Sequence, residues 1–333
     1  MKIVIAQSTA SAIAGHEPYR QALCTMLGAK GHKTQCLDLP SIAEPNRALT
    51  NIASLRLLGT AASADVLICL DPVAAVLDHP RKLLFLLDDS HLAPDSAQLP
   101  GEQAFGRDYI AHVLRSSLRE AKQVFAPSRF ALERLRTMSI GPAKMLQPSL
   151  PPARFHYQRN PGPEMLLMGA INDRQRPELL IACLAALPEP FRARWVAPSA
   201  QPANIAQLRQ QAETSGVEHR LVIDARRIDP AETAFLLSQA AAYLDFGHGS
   251  LTVSDAIIQA LQNAVPVITC SDGGALTELS GLTASPPAKP DGLALAKAVR
   301  AATAAPAGKP AGAAPLADSG ATNWAPLLKA ITR

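Results

Sequence analysis

Aromatic residues are scarce, at 4% of 333 residues, with only two tryptophans. Leu, Ala, Val and Ile therefore have to fill the cores, and an apolar content of 48% supplies enough of them. Charge of one sign is also lacking. The net charge is +4 and the basic residues are scattered. That leaves no nucleic-acid footprint and only a weak bias towards anionic ligands. Cysteine is sparse: Cys24, Cys36, Cys69, Cys183 and Cys270 are far apart, odd in number and set in apolar stretches. They read as buried thiols of a reducing compartment, and neither disulfides nor zinc ligands are expected. No apolar run approaches the roughly 20 residues of a membrane helix. The opening "MKIVIAQSTA" lacks the long apolar segment of a signal peptide. A soluble, cytoplasmic protein is the expectation.

Several catalytic signatures are missing too. There is no phosphate-loop lysine motif, no two-histidine zinc helix, no Gly-x-Ser-x-Gly elbow and no dinucleotide glycine fingerprint. Nicotinamide chemistry is thereby disfavoured, and no metal or other cofactor is expected.

Short apolar runs alternating with amphipathic stretches are what the chain does contain. The candidate strands are "KIVIAQ", "TQCLDL", "ADVLICL", "KLLFLLDD" and "QVFAPS", then "EMLLMGA", "RARWVAP", "RLVIDAR", "AAYLDFG" and "PVITCS". Helix patterns lie between them, such as "PYRQALCTMLGAKG", which closes on a glycine in the manner of a C-cap. Strands apolar on both faces that alternate with helices imply parallel, doubly wound sheets. The length is too great for one ordinary core. The fold class expected is α/β, with an N-terminal Rossmann-like domain over 1–150 and a second over 164–305. A proline-rich hinge over 151–163 joins them, and 306–333 form a loop and a terminal helix. That last stretch regains apolar spacing in "TNWAPLLKAITR", so it is expected to dock somewhere.

One stretch poses the functional question. In "PVITCSDGGALTEL" (266–279) a β-branched run enters Asp272, Gly273 and Gly274, with Glu278 four residues on. Such a turn either needs only positive φ, with Glu278 as an N-terminal helix acid, or brings backbone N–H groups close to an anion. The surrounding pieces decide the emphasis. "EMLLMGAINDRQRPELLIACLAAL", "RIDPAETAFLLSQAAAYLDFG", "PVITCSDGGALTEL", "HPRKLLFLLDD" and "EAKQVFAPSRFALERLR" together resemble the family-4 retaining glycosyltransferases of bacterial polysaccharide synthesis. The resemblance covers about three quarters of the chain. It implies the GT-B architecture, two Rossmann-like domains facing each other across a cleft. It also implies a nucleoside diphosphate sugar lying on the second domain, contacted by Gly273, Gly274 and Glu278.

The chain departs from that family at key positions. The family carries two glutamates, with seven residues between them, before the Pro-Val-Ile strand. Counted back from Pro266 they fall on Gln259 and Leu251; matched by "LTVSDA", the second falls on Asp255, and Gly247 and Asp245 lie near the first. The second register is preferred, with Ser254 or Thr252 capping the helix and Asp255 accepting ribose hydroxyls; a plain helix acid is the alternative. The family's diphosphate-clamping Arg and Lys are replaced by Ala170 and Gln175, but Arg174 and Arg176 flank the latter and their forked guanidinium groups suit phosphate. The alternative is a polar loop with solvated charges. On the first domain the family's histidine position holds Asp88, followed by Asp89 and His91. Gly15, His16 and Glu17 occupy the loop expected to face the donor. His16, Asp88 and His91 are the catalytic candidates, with solvated histidines and a capping aspartate as the alternatives.

The resemblance implies transfer of a hexose from a nucleoside diphosphate sugar to a glycan or lipid-linked acceptor, with retention and without metal. Peripheral association with a membrane surface is compatible with it; nucleic acid is not a partner. Two rivals stay open: a glycosyltransferase-like protein that binds nucleotide sugar or a partner enzyme without catalysis, and a GT-B enzyme of other chemistry, such as a nucleotide-sugar epimerase.

Overall fold

The computed structural model of the protein describes residues 1–9, 16–40, 42, 45–57, 63–89, 92, 101–146, 157–198, 200–279, 286–304 and 324–332. The chain forms two compact units. One comprises 1–148 together with 322–333, the other 149–321.

The first unit holds a six-stranded sheet in the order β2-β1-β3-β4-β5-β6. Its strands are β1 (Lys2–Ser8), β2 (Lys33–Leu39), β3 (Val66–Cys69), β4 (Lys82–Phe85), β5 (Gln123–Ala126) and β6 (Ala143–Met145). Every pairing is parallel. The helices are α1 (Glu17–Ala29), α2 (Pro45–Leu57), α3 (Gly101–Arg119) and α4 (Arg129–Thr137). α1 ends as the sequence suggested. Gly31 sits at φ +78, its N–H bonds the Gly28 carbonyl at 2.9 Å, and the His32 N–H bonds the Leu27 carbonyl at 3.1 Å. These are the two bonds of a Schellman motif, which needs a residue free to adopt positive φ.

The second unit holds a five-stranded parallel sheet in the order β11-β10-β7-β8-β9. Its strands are β7 (Glu164–Met168), β8 (Arg192–Val196), β9 (Leu221–Asp224), β10 (Ala242–Asp245) and β11 (Val267–Thr269). The helices are α5 (Pro177–Ala186), α6 (Pro202–Thr214), α7 (Pro230–Gln239), α8 (Asp255–Gln262) and α9 (Gly292–Ala304). Alternate residues of each strand supply different cores, because side chains alternate across a sheet. Met165, Leu167, Ala242 and Leu244 join Trp195 and residues of α5, α6 and α9. Leu166 and Tyr243 join residues of α7 and α8 on the other face.

Both sheets are thus doubly wound, and each has one switch point where strand order reverses: between β1 and β3, and between β7 and β10. The crevices at the carboxyl ends of those strand pairs are where open parallel sheets take ligands. The terminal helix α10 (Ala325–Thr332) belongs to the first unit. Leu327 and Ile331 are fully buried, and Arg81 Nη2 donates to the Ile331 carbonyl at 2.6 Å.

Candidate functional site

The Asp-Gly-Gly turn after β11 holds a neighbouring loop of its own chain. Gly249 and Ser250 donate their N–H groups to the Asp272 and Gly273 carbonyls, both at 3.1 Å, and the Ala275 N–H returns to the Ser250 carbonyl at 2.7 Å. Gly274 lies at φ +70, and a Cβ there would stand 2.6 Å from the Ser250 carbonyl oxygen. Its glycine is therefore required by close backbone packing. Gly273 has its N–H on the Cys270 carbonyl at 3.1 Å. The chain then enters a 3₁₀ turn, Ala275–Leu279, with Glu278 exposed on it, where the sequence suggested an α-helix. Thr277 explains the tighter winding. Its N–H and its hydroxyl both donate to the Gly274 carbonyl, at 3.0 and 2.7 Å, which sets an i→i+3 register.

Arg174 and Arg176 complete the lacing. They lie after β7, around a 3₁₀ turn (Asp173–Gln175) capped by Asn172. Arg174 donates from Nε to the His248 carbonyl at 3.1 Å and from Nη2 to the Gly249 carbonyl at 2.9 Å. Arg176, left-handed at φ +50, donates from Nε to the Phe246 carbonyl at 2.7 Å. Its two terminal nitrogens make a fork on Asp272, at 2.7 and 2.9 Å. Burial pushes the Asp272 carboxyl up, but the Arg176 fork outweighs it and holds the group below its ordinary value. His248 Nδ1 lies 3.2 Å from the same carboxylate. Three segments, 172–176, 245–250 and 270–275, thus form one cradle at the carboxyl ends of β7, β10 and β11.

Asp245 closes the base of this cradle, at the switch point. It is buried, and its Oδ1 accepts the Gly247 N–H at 2.8 Å. Burial raises its carboxyl to about 6, against the pull of that N–H and of Arg176 and Arg174. A Cβ on Gly247 would stand 2.9 Å from Asp245 Oδ1, 3.2 Å from Ser250 Oγ and 3.3 Å from Gln175 Nε2. The Thr269 hydroxyl is buried without a hydrogen-bond partner among the described residues.

α8 begins at Asp255, with Ser254 as its cap through the Ile257 N–H. Of the two caps expected, Ser254 is the one used, and Asp255 stands in the first turn. Gln259, one turn further in, donates from Nε2 to Asp255 Oδ2 at 2.6 Å. Burial raises the Asp255 carboxyl and the Gln259 amide opposes the shift.

The switch point of the first unit repeats the pattern. Asp71, after β3, is buried and accepts the Ser8 N–H at 2.5 Å and the Ala74 N–H at 2.8 Å. Burial raises it to about 6; both N–H groups oppose this and nearby Asp88 adds to it. Asp88 and Asp89 are buried beyond β4, and Asp89 pairs with Arg134 Nε at 3.2 Å. His16 is buried at the N-cap of α1, edge-on to Tyr19. Glu17 accepts Gln7 Nε2 at 3.1 Å, at the end of β1. Gly15 and His91 lie outside the described residues. Sequence reasoning passed over Asp71 entirely and used Asp245 only as a near miss. The available signal was similar in both: an acid at or just past the end of a buried strand, in "LICLDP" and "AAYLDFG".

Solved structures match the whole chain. Sucrose-phosphate synthase from Thermosynechococcus elongatus has a TM-score of 0.74 at 16% identity, covering 100% of this chain and 97% of that one. WaaG, a glycosyltransferase involved in lipopolysaccharide biosynthesis, has a TM-score of 0.71 at 15% identity and 98% coverage of each chain. Anabaena HepE in complex with UDP-glucose has a TM-score of 0.62 at 16% identity and 99% coverage of each. The chain has the GT-B fold. No family model and no curated protein matches the sequence. Within the GT-B fold, the cradle of the second unit occupies the carboxyl edge of a doubly wound sheet, and Asp173, Arg174, Arg176, Asp245 and Asp272 are the acids and arginines of its three segments, while Asp255 lies outside them at the start of α8.

Proposed function

We propose that this protein is a glycosyltransferase that takes a hexose from a nucleoside diphosphate sugar and passes it, with retention, to a hydroxyl of a glycan or lipid-linked acceptor. The observation that carries the reading is the laced cradle at the β7–β10 switch point, where two arginines meet a glycine turn. The second unit, 164–305 with its cradle, is the donor-binding part and residues 1–150 the acceptor side. Arg174 and Arg176 face the diphosphate, Asp255 the ribose diol, and Gly273, Gly274 and Glu278 flank the donor. His16, Asp88 and His91 serve catalysis on the acceptor side, and Gly15 contacts the donor. Likeness to HepE, solved with UDP-glucose, supports a nucleotide sugar as the ligand class.

In retaining transfer the acceptor hydroxyl attacks the face from which the diphosphate departs, and the departing phosphate oxygen takes the hydroxyl proton. No strong protein base is then required. The protein's share is to neutralise developing charge on the leaving diphosphate, and the arginines supply it without a metal. The cell compartment for this chemistry is the cytoplasm, where nucleotide sugars are held, with a lipid-linked acceptor reached from the membrane surface.

A second reading has its own support. Asp255 is bonded to Gln259, Arg176 is forked onto Asp272 and Arg174 donates to the His248 and Gly249 carbonyls, so three side chains assigned to the ligand already have partners within the protein. A protein that binds nucleotide sugar without turning it over fits that pairing. Incubation with a panel of nucleotide sugars, scored by thermal shift and by release of nucleoside diphosphate, separates the readings. A ligand at 100 times its dissociation constant stabilises by about 2.7 kcal/mol. Binding with release supports the transferase, binding without release the non-catalytic reading, and no shift at millimolar ligand removes both.

A further inference from the structure

Cys69, Cys183 and Cys270 are buried, as the sequence suggested, but Cys24 is half-buried and Cys36 exposed. Cys24 lies on α1 and Cys36 on β2, the edge strand of the first sheet. Their Sγ atoms are 3.4 Å apart. Core packing explains the other three thiols. It does not explain Cys36, whose side of β2 is open to solvent.

We propose that Cys24 and Cys36 are a reversible redox pair that closes to a disulfide when the protein meets a small-molecule disulfide such as oxidised glutathione. The bond ties α1 to the edge strand. The helix is already held in position for it. Arg20, one turn before Cys24, pairs with Asp38 of β2 at 2.6 Å and with Glu17 at 2.7 Å. The sulfurs therefore need only a side-chain adjustment to reach the roughly 2.0 Å of a disulfide.

The chemistry balances as two exchanges. The exposed Cys36 thiolate attacks one sulfur of oxidised glutathione, the S–S bond breaks, and one glutathione leaves as thiolate and takes a proton from water. Cys24, having lost its proton to solvent, then attacks Cys36 Sγ, and the second glutathione leaves. Cys24 and Cys36 are oxidised by two electrons and the glutathione disulfide is reduced to two thiols. Burial, and then the neighbouring Cys36, push the Cys24 thiol up to about 12, so Cys36 is the entry sulfur and Cys24 the resolving one. The tether sits on the helix that carries His16 at its cap and Glu17 against Gln7, so oxidation stiffens the approach to the β1–β3 switch point.

The test uses the full chain equilibrated with oxidised glutathione, acid-quenched, alkylated and digested with trypsin. The expected product is a cross-link between peptides 21–30 and 34–47 that dithiothreitol reverses. Cys36 in the reduced protein should alkylate about tenfold or more faster than Cys69, Cys183 and Cys270. Cys24→Ser should trap a lasting glutathione adduct on Cys36, and Cys36→Ser should give neither adduct nor cross-link. A Cys36 adduct that never resolves in the unsubstituted protein overturns the proposal. So does a Cys36–Cys36 dimer, or no reaction at all. If a serine variant fails to fold, the cross-link map of the unsubstituted chain decides alone.

Discussion

Burial raises Asp71 and Asp245 to about 6, and the sign of the consequence follows from where their protons are held. Between roughly pH 4 and 6 the folded chain keeps protons that the unfolded chain has released. Each group therefore favours the fold fully at low pH, and that contribution, at most about 3 kcal/mol, is lost as pH rises through 6. In the cradle the same titration changes the field on a ligand. Below 6 Asp245 is neutral, and Arg174 and Arg176 act on an anion unopposed by it. Affinity for a nucleotide sugar, whose diphosphate diester does not titrate here, should rise about tenfold between pH 7.5 and 5. Calorimetry at the two pH values checks this, and Asp245→Asn should flatten the profile at the tighter level. An unchanged profile in that variant removes Asp245 from the account. Asp255 and Gln259 give a second test at this scale. Asp255→Asn should weaken nucleoside diphosphate binding about tenfold, because a carboxylate's bonds to a diol are charge-assisted. Gln259→Ala frees Asp255 from its 2.6 Å partner and should leave affinity unchanged or tighter. The reverse ranking would mean that the amide, and not the acid, meets the ligand.

Turns and short elements set the precision of the cradle, and two glycines separate packing from propensity. A methyl on Gly274 would meet the Ser250 backbone at 2.6 and 2.7 Å, at a φ of +70. Gly274→Ala should cost about 2–4 kcal/mol, from the left-handed backbone and from overpacking. Gly28 lies within α1, and a methyl there would have no neighbour within 4 Å, so Gly28→Ala should stabilise by about 0.5–1 kcal/mol. Urea midpoints read by circular dichroism check the pair; equal shifts would mean that neither site behaves as its geometry implies. Most of the ten apolar runs that became strands were legible because they are buried on both faces, so pattern and fold agree. β6 was not legible. "AKM" is three residues long, its last two exposed, and only its backbone pairing with β5 makes it a strand. Ser254 as the cap of α8 was legible, since capping is local. The Arg176–Asp272 fork spans 96 residues and the Asp71–Ser8 bond 63, and no local pattern reports such contacts. The same limit misplaced Cys24 and Cys36, whose apolar neighbours in sequence suggested burial that an edge strand does not provide.

At the scale of the whole molecule, the chain passes from the first unit to the second at 148/149 and returns at 321/322. The returning segment ends in α10, eight residues long, which is too short to be helical by propensity alone. Its helix depends on burying Leu327 and Ile331 in the first unit and on the Arg81 bond to the Ile331 carbonyl. Leu327→Ala should therefore destabilise the first unit by about 2–4 kcal/mol, the cost of a cavity at a fully buried leucine. The two tryptophans make the distinction measurable, because Trp195 lies in the second unit and Trp324 in the first. With Trp324→Phe as the common background, Trp195 emission follows the second unit and circular dichroism follows both. Leu327→Ala should lower the denaturant midpoint of the dichroism change that precedes the Trp195 transition and leave the Trp195 midpoint in place. If both midpoints fall together, α10 supports more than the unit it packs on; if neither moves, the buried leucine contributes nothing and the docking of the chain end is incidental.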